Sequence, residues 1–102
     1  MKTQKQLPPV HPGEVLREDF LDPMGVTAYR LAKATGMPIQ RVSAIVNEKR
    51  SISADTALRL GRFFGVDPQW WMNMQAHFDL ETARRALGER LDAEVRPLAK
   101  AS

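Results

Sequence analysis

The stretch Thr27-Ala-Tyr-Arg-Leu-Ala-Lys-Ala-Thr-Gly36-Met-Pro-Ile-Gln-Arg-Val42-Ser-Ala-Ile45-Val-Asn47 decides the fold. Its first half reads as a short helix, Ala28 to Thr35, with Thr27 as the cap whose hydroxyl accepts from a first-turn amide. Leu31, Ala32 and Thr35 share one side of that helix. Gly36 stands where a left-handed residue closes a helix. Pro38 restarts the chain as a first-turn proline of the next helix, which runs to about Asn47. Within it Val42, Ile45 and Val46 recur at helical spacing and turn inward. Two helices joined by so short a turn cross steeply. The crossing needs a small residue at closest approach (Ala32), a glycine at the corner (Gly36) and an apolar plug behind it (Met37). It also needs two apolar anchors a turn apart, Val42 and Ile45. All are present at consistent spacing, which predicts a helix-turn-helix.

On the N-terminal side, Met1 to Val10 is polar and ends in Leu7-Pro8-Pro9, an extended arm. His11-Pro12-Gly13-Glu14 opens a first helix, with proline tolerated in the first turn and Glu14 at the positive end of the dipole. Val15, Leu16, Asp19/Phe20 and Leu21 give it the spaced apolar face, and Pro23 with Gly25 stops it. On the C-terminal side, Ser53 caps a fourth helix whose buried side is Ala57, Leu60, Gly61 and Phe64, closed by Gly65. Asp67-Pro68 opens a fifth helix containing Trp70, Trp71, Met74 and Phe78. Leu80 to about Ala93 reads as a separate charged helix with Leu80, Ala83, Leu87 and Leu91 on one stripe, ended by Pro97. No stretch alternates as a strand would, so the class is all-α: five to six short helices, a repressor-like helix-turn-helix with a C-terminal helical extension. The expected division is an arm (1–10), a core (11–66), C-terminal helices suited to dimerisation (67–96) and a tail (97–102).

With 102 residues and 43% hydrophobic content, the chain has material for one modest core. Cysteine is absent, which removes disulfides, thiolate metal sites and thiol nucleophiles. His11 and His77 are the only histidines and have no metal-ligand spacing, and no phosphate-binding glycine loop occurs. No metal, no cofactor and no catalytic residue is expected. No apolar run approaches the roughly 20 residues of a membrane span, and the start lacks a signal-peptide core. The expected setting is cytoplasmic, away from membranes.

Charge is unevenly placed. The net +3 resolves into −1 over residues 1–26, +5 over 27–65 and −1 over 66–102. The middle segment holds Arg30, Lys33, Arg41, Lys49, Arg50, Arg59 and Arg62 against Glu48 and Asp55. A polyanion would bind there. With Val42, Ile45 and Val46 turned inward, the third helix presents Ile39, Gln40, Arg41 and Ala44 outward. A helix so placed enters the major groove of DNA with its N-terminal residues at the base edges. Gln40 suits adenine, Arg41 guanine or a phosphate, and Ile39 or Ala44 a thymine methyl. Thr27, Asn47, Lys49 and Arg50 are the expected phosphate contacts.

The motif resembles that of the phage and bacterial repressors. Four further phrases resemble the HigA antitoxins: His11-Pro12-Gly13-Glu14, Asn47-Glu-Lys-Arg50, Ala54-Asp-Thr-Ala-Leu-Arg-Leu60 and Phe64-Gly-Val-Asp-Pro-Gln-Trp-Trp71. Together they cover about Val10 to Arg85. The resemblance implies a homodimeric antitoxin that binds a palindromic operator in double-stranded DNA, represses its own operon and neutralises a HigB-type mRNA-cleaving toxin. Glu48 stands where many repressor-type motifs have glycine, so the loop after the third helix is expected to differ. Pro38 and Ile39 replace polar readers, which shifts base reading to Gln40 and Arg41. A basic toxin would suit the acidic group Glu14, Glu18, Asp19 and Asp22. Trp70, Trp71, Met74 and Phe78 are more apolar bulk than one side of a short helix buries, which points to a dimer interface. Two alternatives stay open: a free-standing repressor without a toxin, and a protein-interaction module that no longer binds DNA.

Overall fold

The computed structural model describes residues 7–99; the first six residues of the expected arm lie outside that range, and Leu7 to Val10 have no regular structure. Six helices and no strand occur among the described residues. Helix α1, residues 12–24, runs through Pro12–Val15, a wider π-helical stretch Leu16–Leu21, and Asp22–Met24. Helices α2 (Ala28–Thr35), α3 (Ile39–Val46), α4 (Ala54–Phe64), α5 (Pro68–Leu87) and α6 (Arg90–Glu94) follow.

The wide turn in α1 has a packing consequence. An i→i+5 bond, from the Asp22 amide to the Arg17 carbonyl, closes it, and it buries Leu16 and Leu21 five residues apart. Phe20 then lies between them and half-buried. Around this helix the core gathers Leu31, Met37, Val42, Ile45, Ile52, Leu60 and Trp71, all buried. Packing of this density makes each of these side chains sensitive to loss of volume.

Close approach explains Gly13. A Cβ there would lie 1.8 Å from the Ile45 carbonyl oxygen, so only glycine lets the start of α1 press against the end of α3. His11 caps this helix: its Nδ1 accepts from the Gly13 amide at 2.8 Å, and its ring meets Phe78 edge-on at 4.8 Å between centroids. Burial holds the His11 imidazole below its usual pKa, against the smaller opposing pull of Glu48 and Asp79.

Four expectations are corrected. Pro38 is the N-cap of α3, with extended ψ of 142°, rather than a residue of its first turn. The expected fifth and sixth helices are joined: α5 is one 20-residue helix, because no glycine or proline interrupts Gln69 to Leu87, and Gly88 ends it instead. The expected stripe, Leu80, Ala83 and Leu87 within α5 and Leu91 in α6, faces largely outward, with Leu80 61% exposed and Leu91 also exposed. Phe64 is half-buried rather than wholly inside.

Candidate nucleic-acid interface

The corner between α2 and α3 is built from the residues its geometry demands. Gly36 adopts φ 72°, and its amide and that of Met37 both donate to the Ala32 carbonyl. Ala32, Met37, Val42 and Ile45 are all buried at the crossing. Thr27 caps α2 by accepting from the Arg30 amide at 3.1 Å, and its side chain remains exposed. From the other side, Arg59 of α4 donates to the Thr35 carbonyl at 2.8 Å, so a cation occupies the negative end of α2.

With its inward stripe fixed, α3 turns Ile39, Gln40, Ser43, Ala44 and Asn47 outward, and these line one shallow groove with Lys49. Ile39 and Gln40 are exposed at its opening turn; Ser43 and Ala44 are half-buried along its floor. Ser43 is a groove residue that spacing alone did not single out. Its place follows from periodicity: residues 39, 40, 43, 44 and 47 share one helical face. Arg41 does not join them. It leans toward α4, where its Nη1 donates to Asp55 Oδ1 at 2.8 Å, and the side chain is only 23% exposed. Asp55 takes a second bond from Arg59 Nε at 2.7 Å. Arg59 first and Arg41 second hold the Asp55 carboxyl below its ordinary range, so it is ionised at neutral pH.

The loop after α3 carries Lys49 and Arg50, both exposed and without an acidic partner among the described residues. Glu48 adopts φ 62°, the left-handed conformation that favours glycine. Its carboxylate meets Arg17 at 3.4 Å, and Arg17 also donates to the Val46 carbonyl, tying α1 to the end of α3. The loop is fastened at its far end as well. The Ile52 amide donates to Gln75 Oε1 at 2.7 Å, and Gln75 is buried in α5. Sequence reasoning missed this clamp; the one signal is that Gln75 falls four residues after Trp71, on the inward face.

The expected dimer residues separate. Trp71 is 0% exposed and belongs to the core of its own chain, so it has no free face for a partner. Its ring centroid lies 5.2 Å from that of Phe20, within an aromatic group that also includes Phe64 and Trp70. Met74 and Phe78 are half-buried, the latter against His11. Trp70 alone of the four stays open, at 40% exposure. Among the acidic group, Glu18, Asp19 and Asp22 are exposed and Glu14 is half-buried, with Glu18 paired to Arg17. No cluster of metal-binding side chains occurs among the described residues, and no helix among them is long and apolar enough to cross a membrane.

A short helix, a glycine corner and a second helix with one anchored and one open face define a helix-turn-helix domain. The helix-turn-helix family matches residues 16–71. Virulence-associated protein I of Dichelobacter nodosus is 51% identical over 82 residues, 80% of this chain and 76% of that protein. Antitoxin HigA-1 of Vibrio cholerae is 36% identical over 97 residues, 95% of this chain and 89% of that protein. The solved structure of Pseudomonas aeruginosa antitoxin HigA with the higBA promoter superposes with a TM-score of 0.86 at 44% identity, covering 89% of this chain and 99% of that one. The chain belongs to the helix-turn-helix family, among its HigA-type antitoxins. These are regulators rather than enzymes.

Proposed function

We propose that this chain is an antitoxin that binds double-stranded operator DNA through α3 and represses its own operon. The single observation that carries the reading is the α3 groove, exposed along its length while the opposite face is locked into the core. In this reading Gln40 bonds an adenine edge, Ile39 and Ala44 meet thymine methyls, and Arg41 addresses a guanine. Thr27, Asn47, Lys49 and Arg50 hold phosphates on either side. The Pseudomonas relative, solved with a promoter, supports DNA as the partner.

The remaining parts of the reading follow from the family. The chain acts as a cytoplasmic homodimer on a palindrome, since one such module buries too little DNA surface alone. Residues 11–66 form the DNA-binding core and 67–96 serve pairing, with Trp70 as the open aromatic available for it. The toxin is a HigB-type ribonuclease, basic enough to hold RNA, and the exposed acids Glu18, Asp19 and Asp22 complement it.

The test is a titration of the DNA upstream of this reading frame against a scrambled duplex. Gln40→Ala lowers the preference for the operator by roughly tenfold, the scale of one base contact. Lys49→Ala weakens both duplexes alike and reduces the salt slope by about one. Unchanged binding in both variants sinks the DNA reading. For the toxin, the neighbouring reading frame should encode a short, basic protein that co-purifies with the chain, and Glu18→Lys with Asp19→Lys should weaken that complex while leaving operator binding intact.

A further inference from the structure

Asp55 poses a problem for a DNA-binding surface. It is an exposed carboxylate beside the opening turn of α3, where a phosphate polyanion would approach. Its pair with Arg59 is exposed and its pair with half-buried Arg41 lies at the surface, and surface pairs add little to stability. Asp55 therefore works against DNA affinity without a matching return in folding.

Its geometry gives it another role. Arg59, one turn along α4, holds Oδ1 through Nε and is itself fastened to the Thr35 carbonyl through Nη1. The carboxylate is thus fixed to the helix-turn-helix corner before Arg41 is considered. Arg41 then spends only Nη1 on the same oxygen. Its Nε and Nη2 edge has no acceptor among the described residues, and that edge carries two parallel donors suited to the O6 and N7 acceptors of guanine.

We propose that Asp55 is a positioning residue for sequence recognition: it grips one end of the Arg41 guanidinium so that the other presents a fixed fork to a guanine edge in the operator. The inference rests on the DNA-binding reading above. Without the grip Arg41 is a long, mobile cation, which finds phosphates on any sequence. With it, the cation is held at one register of α3, and wrong bases leave its donors unpaired.

Operator and scrambled duplexes are titrated with wild type, Asp55→Asn, Arg41→Ala, the double variant and Arg59→Gln. Asp55→Asn lowers the operator-to-scrambled affinity ratio by about tenfold while tightening binding to the scrambled duplex. In the Arg41→Ala background, Asp55→Asn leaves the ratio unchanged. Arg59→Gln loosens the carboxylate but leaves the Asp55–Arg41 pair, so it lowers the ratio by less than Asp55→Asn does. The proposal is overturned if Asp55→Asn holds the ratio within about twofold, or if Arg59→Gln lowers it as far. Should Asp55→Asn lose its helical circular dichroism, Asp55→Glu decides: it keeps the charge, misplaces it by one methylene, and must lower the ratio without tightening scrambled binding. A wild type that does not discriminate between the duplexes defeats the functional reading instead, so the two failures are distinct.

Discussion

In α3, three of eight residues are buried, and four along the opposite side line the groove with Asn47 and Lys49; in α5, Trp71 and Gln75 alone of twenty are buried, both in the first half. The short helix is held by α1 and α2 on one side, so its other face is presented in a defined register. The long helix is docked by its opening turns against α4 and α1, and beyond Phe78 it runs into solvent. Length therefore says little about what a helix contributes. A face becomes a recognition surface when the face behind it is fully anchored, and α3 meets that condition while the far half of α5 does not.

The contrast can be broken at its strongest point first. Trp71→Ala should cost about 3–5 kcal/mol in a denaturant titration, because the side chain is wholly buried among Phe20, Phe64 and the core aliphatics. Its indole N–H has no acceptor among the described residues, so Trp71→Phe forfeits volume and no hydrogen bond, and should cost less than half as much. Equal costs would show that the indole nitrogen has a partner. Gln75→Leu should cost about 1–3 kcal/mol by stranding the Ile52 amide, and should weaken DNA binding through the loop that carries Lys49 and Arg50. A stability loss with DNA affinity intact would detach that loop from the function.

Smaller effects sharpen the comparison. His11 links the two helices, capping α1 beneath the end of α3 and touching Phe78 of α5. Burial lowers its pKa in the folded chain, so the folded state takes up the proton less readily than the unfolded one. Stability is then full above the ordinary value of 6.5 and declines as pH falls through and below it. Melting temperatures across that range should fall on acidification, and His11→Asn should flatten the decline. Smallest of all, Leu80→Gln should leave stability within about 0.5 kcal/mol, because the side chain faces water. A larger, concentration-dependent loss would mean that the far half of α5 is covered by a second copy of the chain.

What could be read in the sequence divides along the same line. The corner was legible because Ala32, Gly36, Met37, Val42 and Ile45 each answer a local geometric demand at fixed spacing, and the structure puts all five where that demand places them. The groove was legible as a consequence, by elimination of the anchored face. Arg41 was not, because its partner Asp55 sits fourteen residues away on another helix, and spacing within α3 cannot reveal it. Trp70 and Trp71 were indistinguishable for a related reason: neighbours on a helix point about 100° apart, and only the packing of the other helices decides which is buried. His11 escaped as a cap because the usual capping residues carry side-chain oxygens, and here a ring nitrogen does that work.

Since α5 is anchored at one end only, its backbone protection should grade along a single unbroken helix. Amides around Trp71 and Gln75 open only when the whole domain does, and so should exchange with solvent deuterium on the slowest timescale the molecule has. Those between Thr82 and Leu87 open by unwinding the last turns, against little more than the contact of Arg85 with the Leu7 carbonyl, and should exchange orders of magnitude sooner. The chain thus carries within one helix both its most durable hydrogen bonds and some of its most fleeting.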